Sequence, residues 1–276
     1  MFPAMKSLAR TLTIATLLAA SPAFAAVGDW GKGSEAAARL IAAGIGADGK
    51  LAAGIEIALP PDWHTYWRSP GDAGVSPVID FTGSANVAAT AVAFPAPTRL
   101  DDGYSVTNVY EHGIVLPLTA TVADPAKPVD LSVDLKIGVC KDICVPDEIK
   151  ASLTVPAGES DAATATALAT AAKAVPGPSE AGVFAFDAVA RDGGTDRHPV
   201  FRFDGVVPDA KNAVVFVEGP ADWAPFTPAF AGESGGKASW TVEFSRLGAK
   251  SPIPGAAFRL TVVSAGRAID QTLTLD

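Results

Sequence analysis

Soft metal ligands are scarce in this chain of 276 residues, which has two cysteines, three histidines and two methionines. The methionines are Met1 and Met5, so a copper site built on thioether sulfur has nothing to draw on further along. No histidine lies near the cysteines in sequence, and two thiolates alone do not complete a zinc site. Basic residues are also outnumbered, with 21 Lys and Arg against 30 Asp and Glu and a formal net charge of −9. A surface of that sign disfavours nucleic acid and anionic membrane. A bilayer span needs about 20 apolar residues, and past the N-terminus the longest candidate, 162–175, is alanine-rich and broken by Thr and Lys. There is no phosphate-binding loop, nucleophile elbow or HExxH pattern to support nucleotide, serine-hydrolase or zinc-protease chemistry.

What is present begins with a leader. Lys6 and Arg10 precede an apolar run over 11–20, and Ser21-Pro22-Ala23-Phe24-Ala25 places small residues where a signal peptidase reads them. Residues 1–26 are therefore expected to be a signal peptide, cut after Ala25 or Ala26. The mature protein is expected in the periplasm, without stable membrane insertion. Losing Lys6 and Arg10 leaves it more acidic still.

The remaining chain is rich in Gly, Pro, Val, Ala and Thr, which favours short strands joined by tight turns. Strands are expected at 37–43, 51–59, 77–81, 87–94, 114–122, 129–139 and 149–155. Asp48-Gly49 marks a hairpin between the first two. Asp161 is placed to cap a short helix over 162–174, and Pro176-Gly177-Pro178 then breaks the chain. Six further short strands follow between 183 and 275. This pattern predicts an all-β protein of two immunoglobulin-like β-sandwich domains, 27–157 and 181–276, joined by a helical connector over 158–180.

The chemically distinctive segment is Cys140-Lys141-Asp142-Ile143-Cys144. In an exported protein such a pair defaults to a disulfide. Four extended steps cover about 13 Å, whereas a disulfide needs Cα atoms roughly 4.4–6.8 Å apart, so the chain must turn sharply between them. A ring this small contributes only roughly 2 kcal/mol of loop entropy. A redox-active pair and a plain structural bridge both fit the spacing.

The run Cys140-Lys141-Asp142-Ile143-Cys144-Val145-Pro146-Asp147-Glu148 resembles the active-site segment of the N-terminal periplasmic domain of the DsbD family, and most of all its ScsB-type members. Other pieces fall in the same order: Trp63-His64-Thr65-Tyr66-Trp67-Arg68-Ser69-Pro70-Gly71-Asp72-Ala73-Gly74, then Phe94-Pro95-Ala96-Pro97, then Tyr110-Glu111 and Val115-Leu116-Pro117-Leu118. The likeness runs over about 30–155. It implies an immunoglobulin-like domain that takes electrons from a membrane-embedded thiol–disulfide donor. It then passes them to periplasmic thioredoxin-like or other disulfide-bearing proteins, with no cofactor and no metal. By the same likeness Cys144 forms the mixed disulfide and Cys140 resolves it. The loop Asp101-Asp102-Gly103-Tyr104-Ser105 resembles the family's cap over the cysteines. Gly103 stands where the better-known cap carries Phe, so Tyr104 is expected to shield the sulfurs. Family members continue into a membrane domain and a thioredoxin-like domain. The chain ending at Asp276 is expected to depend on a separate membrane protein for electrons. The family's ties to cytochrome c biogenesis and copper tolerance would make metal handling a third reading, which the missing methionines weaken.

Elsewhere the residues read as ordinary. Trp63, Tyr66 and Trp67 are expected to pack a core, and His64, His112 and His198 are scattered. Asp101-Asp102 reads as a solvated loop rather than a catalytic pair. A non-catalytic binding or assembly module, with Cys140–Cys144 as a structural bridge, stands as the alternative to the redox carrier.

Overall fold

The computed structural model describes residues 27–276. The expected signal peptide, 1–26, lies outside the described residues. Among those described, no helix is long and apolar enough to cross a membrane.

The first half is two sheets face to face. One orders Gly31–Lys32, Ala37–Ile45, Lys50–Ala58, Ile114–Val122 and Val87–Val92. The other orders Cys144–Val155, Val129–Cys140, His64–Gly71, Val106–Glu111 and Thr98–Asp101, with Val78–Asp80 beside Val129–Cys140. Strand periodicity explains the layering. Along Val129–Ile137 the odd positions Val129, Leu131, Val133, Leu135 and Ile137 are buried, while Asp130 and Lys136 face solvent. These side chains meet Leu40, Leu51, Ile55 and Leu116 of the facing sheet in one core. The alternation stops at Gly138, Val139 and Cys140, which are all buried. The strand end is thus covered on both faces, as a buried sulfur requires.

The second half repeats the architecture. Its sheets order Gly177–Pro178, Arg267–Thr274, Ala257–Ser264 and Val214–Glu218 on one side. On the other lie Ala185–Gly194, Pro199–Val206, Lys237–Ser245 and Ala224–Pro225, with Ala229–Ser234 also on Lys237–Ser245. Its core is aromatic: Phe201, Phe244, Phe258 and Trp223 pack with centroids 4.8–6.0 Å apart. Each half is an immunoglobulin-like sandwich. The one α-helix among the described residues, Ala162–Ala172, is capped by Asp161, whose carboxylate accepts from Thr164 N at 2.6 Å. Its buried Leu168 lies against the first sandwich, where Gly54 leaves the space it fills.

Several strand assignments differ from the sequence pattern, among them Ala224–Pro225 and Ala229–Ser234, which it did not include. Thr98–Asp101 and Val106–Glu111 form a hairpin around the loop 101–105, and neither is among the expected strands. They are short, and Val106–Glu111 lacks alternation because Thr107, Asn108, Val109 and Tyr110 are all buried. The last strand of the first sandwich starts at Cys144 rather than 149. Pro146 lies within it, and this strand ends the sheet order, where a missing N–H costs no ladder bond.

The halves meet on the strand His64–Gly71. Trp67, fully buried, packs its ring 5.4 Å from Phe216 of the second half. Arg68 stacks over Trp67 at 4.1 Å and reaches across to Glu218 at 2.8 Å and Asp270 at 3.5 Å. The Arg68 side chain is only 13% exposed, so the pairing is weakly screened. Removing the cation would leave Glu218 without its partner, while Asp270 keeps Arg259. Arg68→Met is therefore expected to cost about 2 kcal/mol, read by thermal unfolding. Adding Glu218→Gln should recover part of that loss, and a strictly additive double variant would show that the pair does not interact.

Candidate functional site

The strands Val129–Cys140 and Cys144–Val155 form one antiparallel hairpin whose register places Cys140 directly opposite Cys144. The turn is Lys141-Asp142-Ile143, closed by a bond from Lys141 N to Ile143 O at 3.2 Å. The sharp turn demanded by the spacing is thus a hairpin tip, with the cysteine Cα atoms 4.1 Å apart and the sulfurs bonded. The two cysteines differ in access. Cys140 is 2% exposed, because its strand is also paired to His64–Gly71 at Val139↔Thr65 and Cys140↔His64. Cys144 is exposed.

Tyr66 lies beside both sulfurs. Its hydroxyl is 3.1 Å from Cys140 Sγ and 3.3 Å from Cys144 Sγ. Two glycines make its seat. A Cβ on Gly74 would come 2.3 Å from the Tyr66 ring, and one on Gly138 would come 3.1 Å from it. Burial, and then the charge of Asp102, raise the Tyr66 pKa above the ordinary phenol value. His64 sets its ring edge-on to Tyr66 at 5.7 Å. Burial lowers the His64 pKa, against the opposing charges of Glu111 and Asp102.

The loop 101–105 borders this site without closing it. Asp101 Oδ1 accepts from Gly103 N, and Asp102 Oδ1 accepts from Tyr104 N and Ser105 N at 2.8 Å each. Gly103 has φ +82, which suits glycine. Those backbone bonds hold the Asp102 carboxyl below its usual pKa. Asp102 therefore acts as a fixed negative charge near Tyr66 and His64. Tyr104 departs from expectation. It is 99% exposed, so its ring shields neither sulfur. The turn spends its side chains on its own backbone and aims that ring outward, and the aromatic over the disulfide is Tyr66. Of the three aromatics expected in the core, Trp67 is there, Trp63 lies against it half-buried, and Tyr66 lies in a separate small cluster beside the sulfurs.

The charged neighbours in the motif are mostly engaged elsewhere. Lys141 pairs with Asp62 at 3.1 Å on the surface. Glu148 pairs with Lys150 and Lys136. Asp147 is buried at 4% exposure and accepts from the backbone N–H groups of Ser34, Glu35 and Ala36 at 2.5–3.0 Å. It thereby straps the N-terminal segment to the cysteine hairpin. On the Cys144 side opens a largely apolar groove of about 800 Å³, with Ile137, Gly138, Val145 and Pro146 along the hairpin and Val75 and Val78 opposite.

Residues 34–156 match the family model described as "Thiol:disulfide interchange protein DsbD, N-terminal". They are a DsbD N-terminal-type domain. The matched span contains both cysteines, Tyr66, Gly74 and Gly138. Beyond this domain the likeness continues at the level of fold. The crystal structure of the N-terminal periplasmic domain of ScsB from Proteus mirabilis aligns with 91% of this chain and 98% of its own length. Its TM-score is 0.71 and its identity 24%, so it extends the shared architecture through the second sandwich. No curated protein matches the chain.

The roles of Tyr66, Gly74 and Gly138 escaped the sequence reading. Tyr66 was counted with the core aromatics around it. The usable signal was a polar-tipped aromatic inside the family-like run 63–74, with a glycine at its end.

Proposed function

We propose that this protein is a periplasmic thiol–disulfide interchange protein. It carries reducing equivalents from a membrane-embedded donor to periplasmic substrate proteins, thioredoxin-like or other. The DsbD-type domain supports the reaction class. One observation carries the mechanism: a bonded cysteine pair at a hairpin tip with Cys144 exposed and Cys140 buried. An incoming thiolate can reach only the Cys144 sulfur. It forms a disulfide with Cys144, and the electron pair of the broken bond passes to Cys140. A second donor thiol then releases Cys144, leaving a dithiol that holds two electrons and two protons. In the other direction Cys144 attacks a substrate disulfide, and Cys140 attacks Cys144 to free the reduced substrate. The apolar groove gives a partner's cysteine-bearing loop room beside Cys144.

The test is equilibration of the folded protein with glutathione buffers of graded ratio, with free thiols counted after acid quenching. The bridge should equilibrate at a potential well above about −300 mV, the region below which structural disulfides of secreted proteins lie. A bridge that resists reduction until denaturant is added would make it a structural staple, and the protein a binding or assembly module.

A further inference from the structure

We propose that Tyr66 is a catalytic residue whose hydroxyl donates a hydrogen bond to the sulfur that leaves when the Cys140–Cys144 bond is broken. This rests on the thiol–disulfide reading above and assigns to that site the group that makes its buried sulfur a usable leaving group.

The need follows from burial. When an incoming thiolate bonds to Cys144 Sγ, the electron pair moves onto Cys140 Sγ. A thiolate formed there is out of water, and an unpaired charge in that position is costly. Exchange is faster when the leaving thiol is more acidic, so a donor at the leaving sulfur speeds the step. Among the described residues Tyr66 is the only donor within hydrogen-bond distance of Cys140 Sγ. Its oxygen lies nearly as close to Cys144 Sγ. The same hydroxyl can therefore serve Cys144 when that sulfur leaves in the second displacement, without moving the ring.

The phenol donates without giving up its proton. An unperturbed thiol titrates near 8.5 and an unperturbed phenol near 10, and burial and Asp102 push Tyr66 further up. The proton accordingly stays on oxygen, and the Cys140 thiolate later takes its own from solvent or from the second donor thiol. Geometry supports a dedicated position. Gly74, at φ +101, leaves room for the ring where a Cβ would clash, and Gly138 leaves room where one would press on it.

The experiment is the rate of reduction of the folded, oxidised protein by dithiothreitol at pH 7, comparing wild type with Tyr66→Phe and Tyr66→Ala. Unfolding of each oxidised variant is followed to confirm the fold. Tyr66→Phe keeps the ring and removes only the donor. It should slow reduction about 10- to 100-fold, the effect of losing a hydrogen bond to a charged group. A ring that merely shields the disulfide predicts the opposite pattern, with Tyr66→Phe unchanged and Tyr66→Ala faster, and that pattern overturns the proposal. Gly74→Ala gives a second arm, since it pushes the ring off its seat while keeping the hydroxyl, and it should also slow reduction. A wild type inert to dithiothreitol in the folded state would remove the redox reading itself, and this assignment with it. A reactive wild type with equally reactive Tyr66→Phe would remove only the assignment.

Discussion

Cys140→Ser is expected to accumulate a stable mixed disulfide between Cys144 and a partner cysteine, whereas Cys144→Ser is expected to form none. The asymmetry comes from access. Cys144 is exposed at the start of its strand, while Cys140 is 2% exposed and covered from both sides. Without Cys140 there is no resolving thiol, so attack by Cys144 stops at the first covalent step. Without Cys144 the remaining thiol cannot reach a partner. Both variants should lose net electron transfer completely. Both should stay folded, because a ring closed over so few residues contributes only roughly 2 kcal/mol and the sandwich has a core of its own. Non-reducing gels with a small disulfide-bearing probe protein, read beside thermal unfolding, separate the two effects. Equal trapping by both variants would refute the assigned order of attack. Collapse of the fold in either would return the bridge to a structural role.

Asp147→Ala should have the largest effect on stability without touching a sulfur. The carboxylate is buried and satisfies three consecutive backbone donors from Ser34, Glu35 and Ala36. Gly33 lies so close that a Cβ there would fall 2.0 Å from the same carboxylate. Bonds to a charged acceptor are stronger than neutral ones, and orphaned buried donors are costly. Two of the three donors belong to exposed residues and can recover water, which limits the loss to roughly 3–4 kcal/mol. For a chain of this size that is about 10 °C in melting temperature. Asp147→Asn keeps one acceptor oxygen and should fall between. Because the strap ends three residues from Cys144, hydrogen exchange in Asp147→Ala should rise first along 31–36 and at the hairpin tip. A melting temperature unchanged within 2 °C or so would show that the strap contributes little.

The sandwich architecture was legible because strand burial follows period two and turns announce themselves. Val129–Ile137 alternates cleanly, Asp48-Gly49 sits in the hairpin between Ala37–Ile45 and Lys50–Ala58, and Asp161 caps the helix as its position promised. Where a strand is buried on both faces the alternation disappears, which is why Val106–Glu111 is not among the expected strands. Whether a strand tolerates a proline, as Cys144–Val155 does at Pro146, depends on whether another strand needs its N–H, and that neighbour is set by sheet order.

By itself the sequence made a disulfide the default reading of the cysteines and, with it, a sharp turn between them, since four extended steps are too long for the bond. It also determined the all-β class, the helix cap and the acidic surface, all of which depend on residues near one another along the chain. Only the tertiary structure decided which cysteine is open, because burial of Cys140 comes from pairing with His64 and not from its own neighbours. It alone placed Tyr66 rather than Tyr104 over the sulfurs, made Asp147 the strap on the N-terminal segment, and joined Arg68 to Glu218 and Asp270. Each of those partners is separated from its mate by dozens of residues or more. No local pattern carries such information, because it is set by which strands the sheet places side by side.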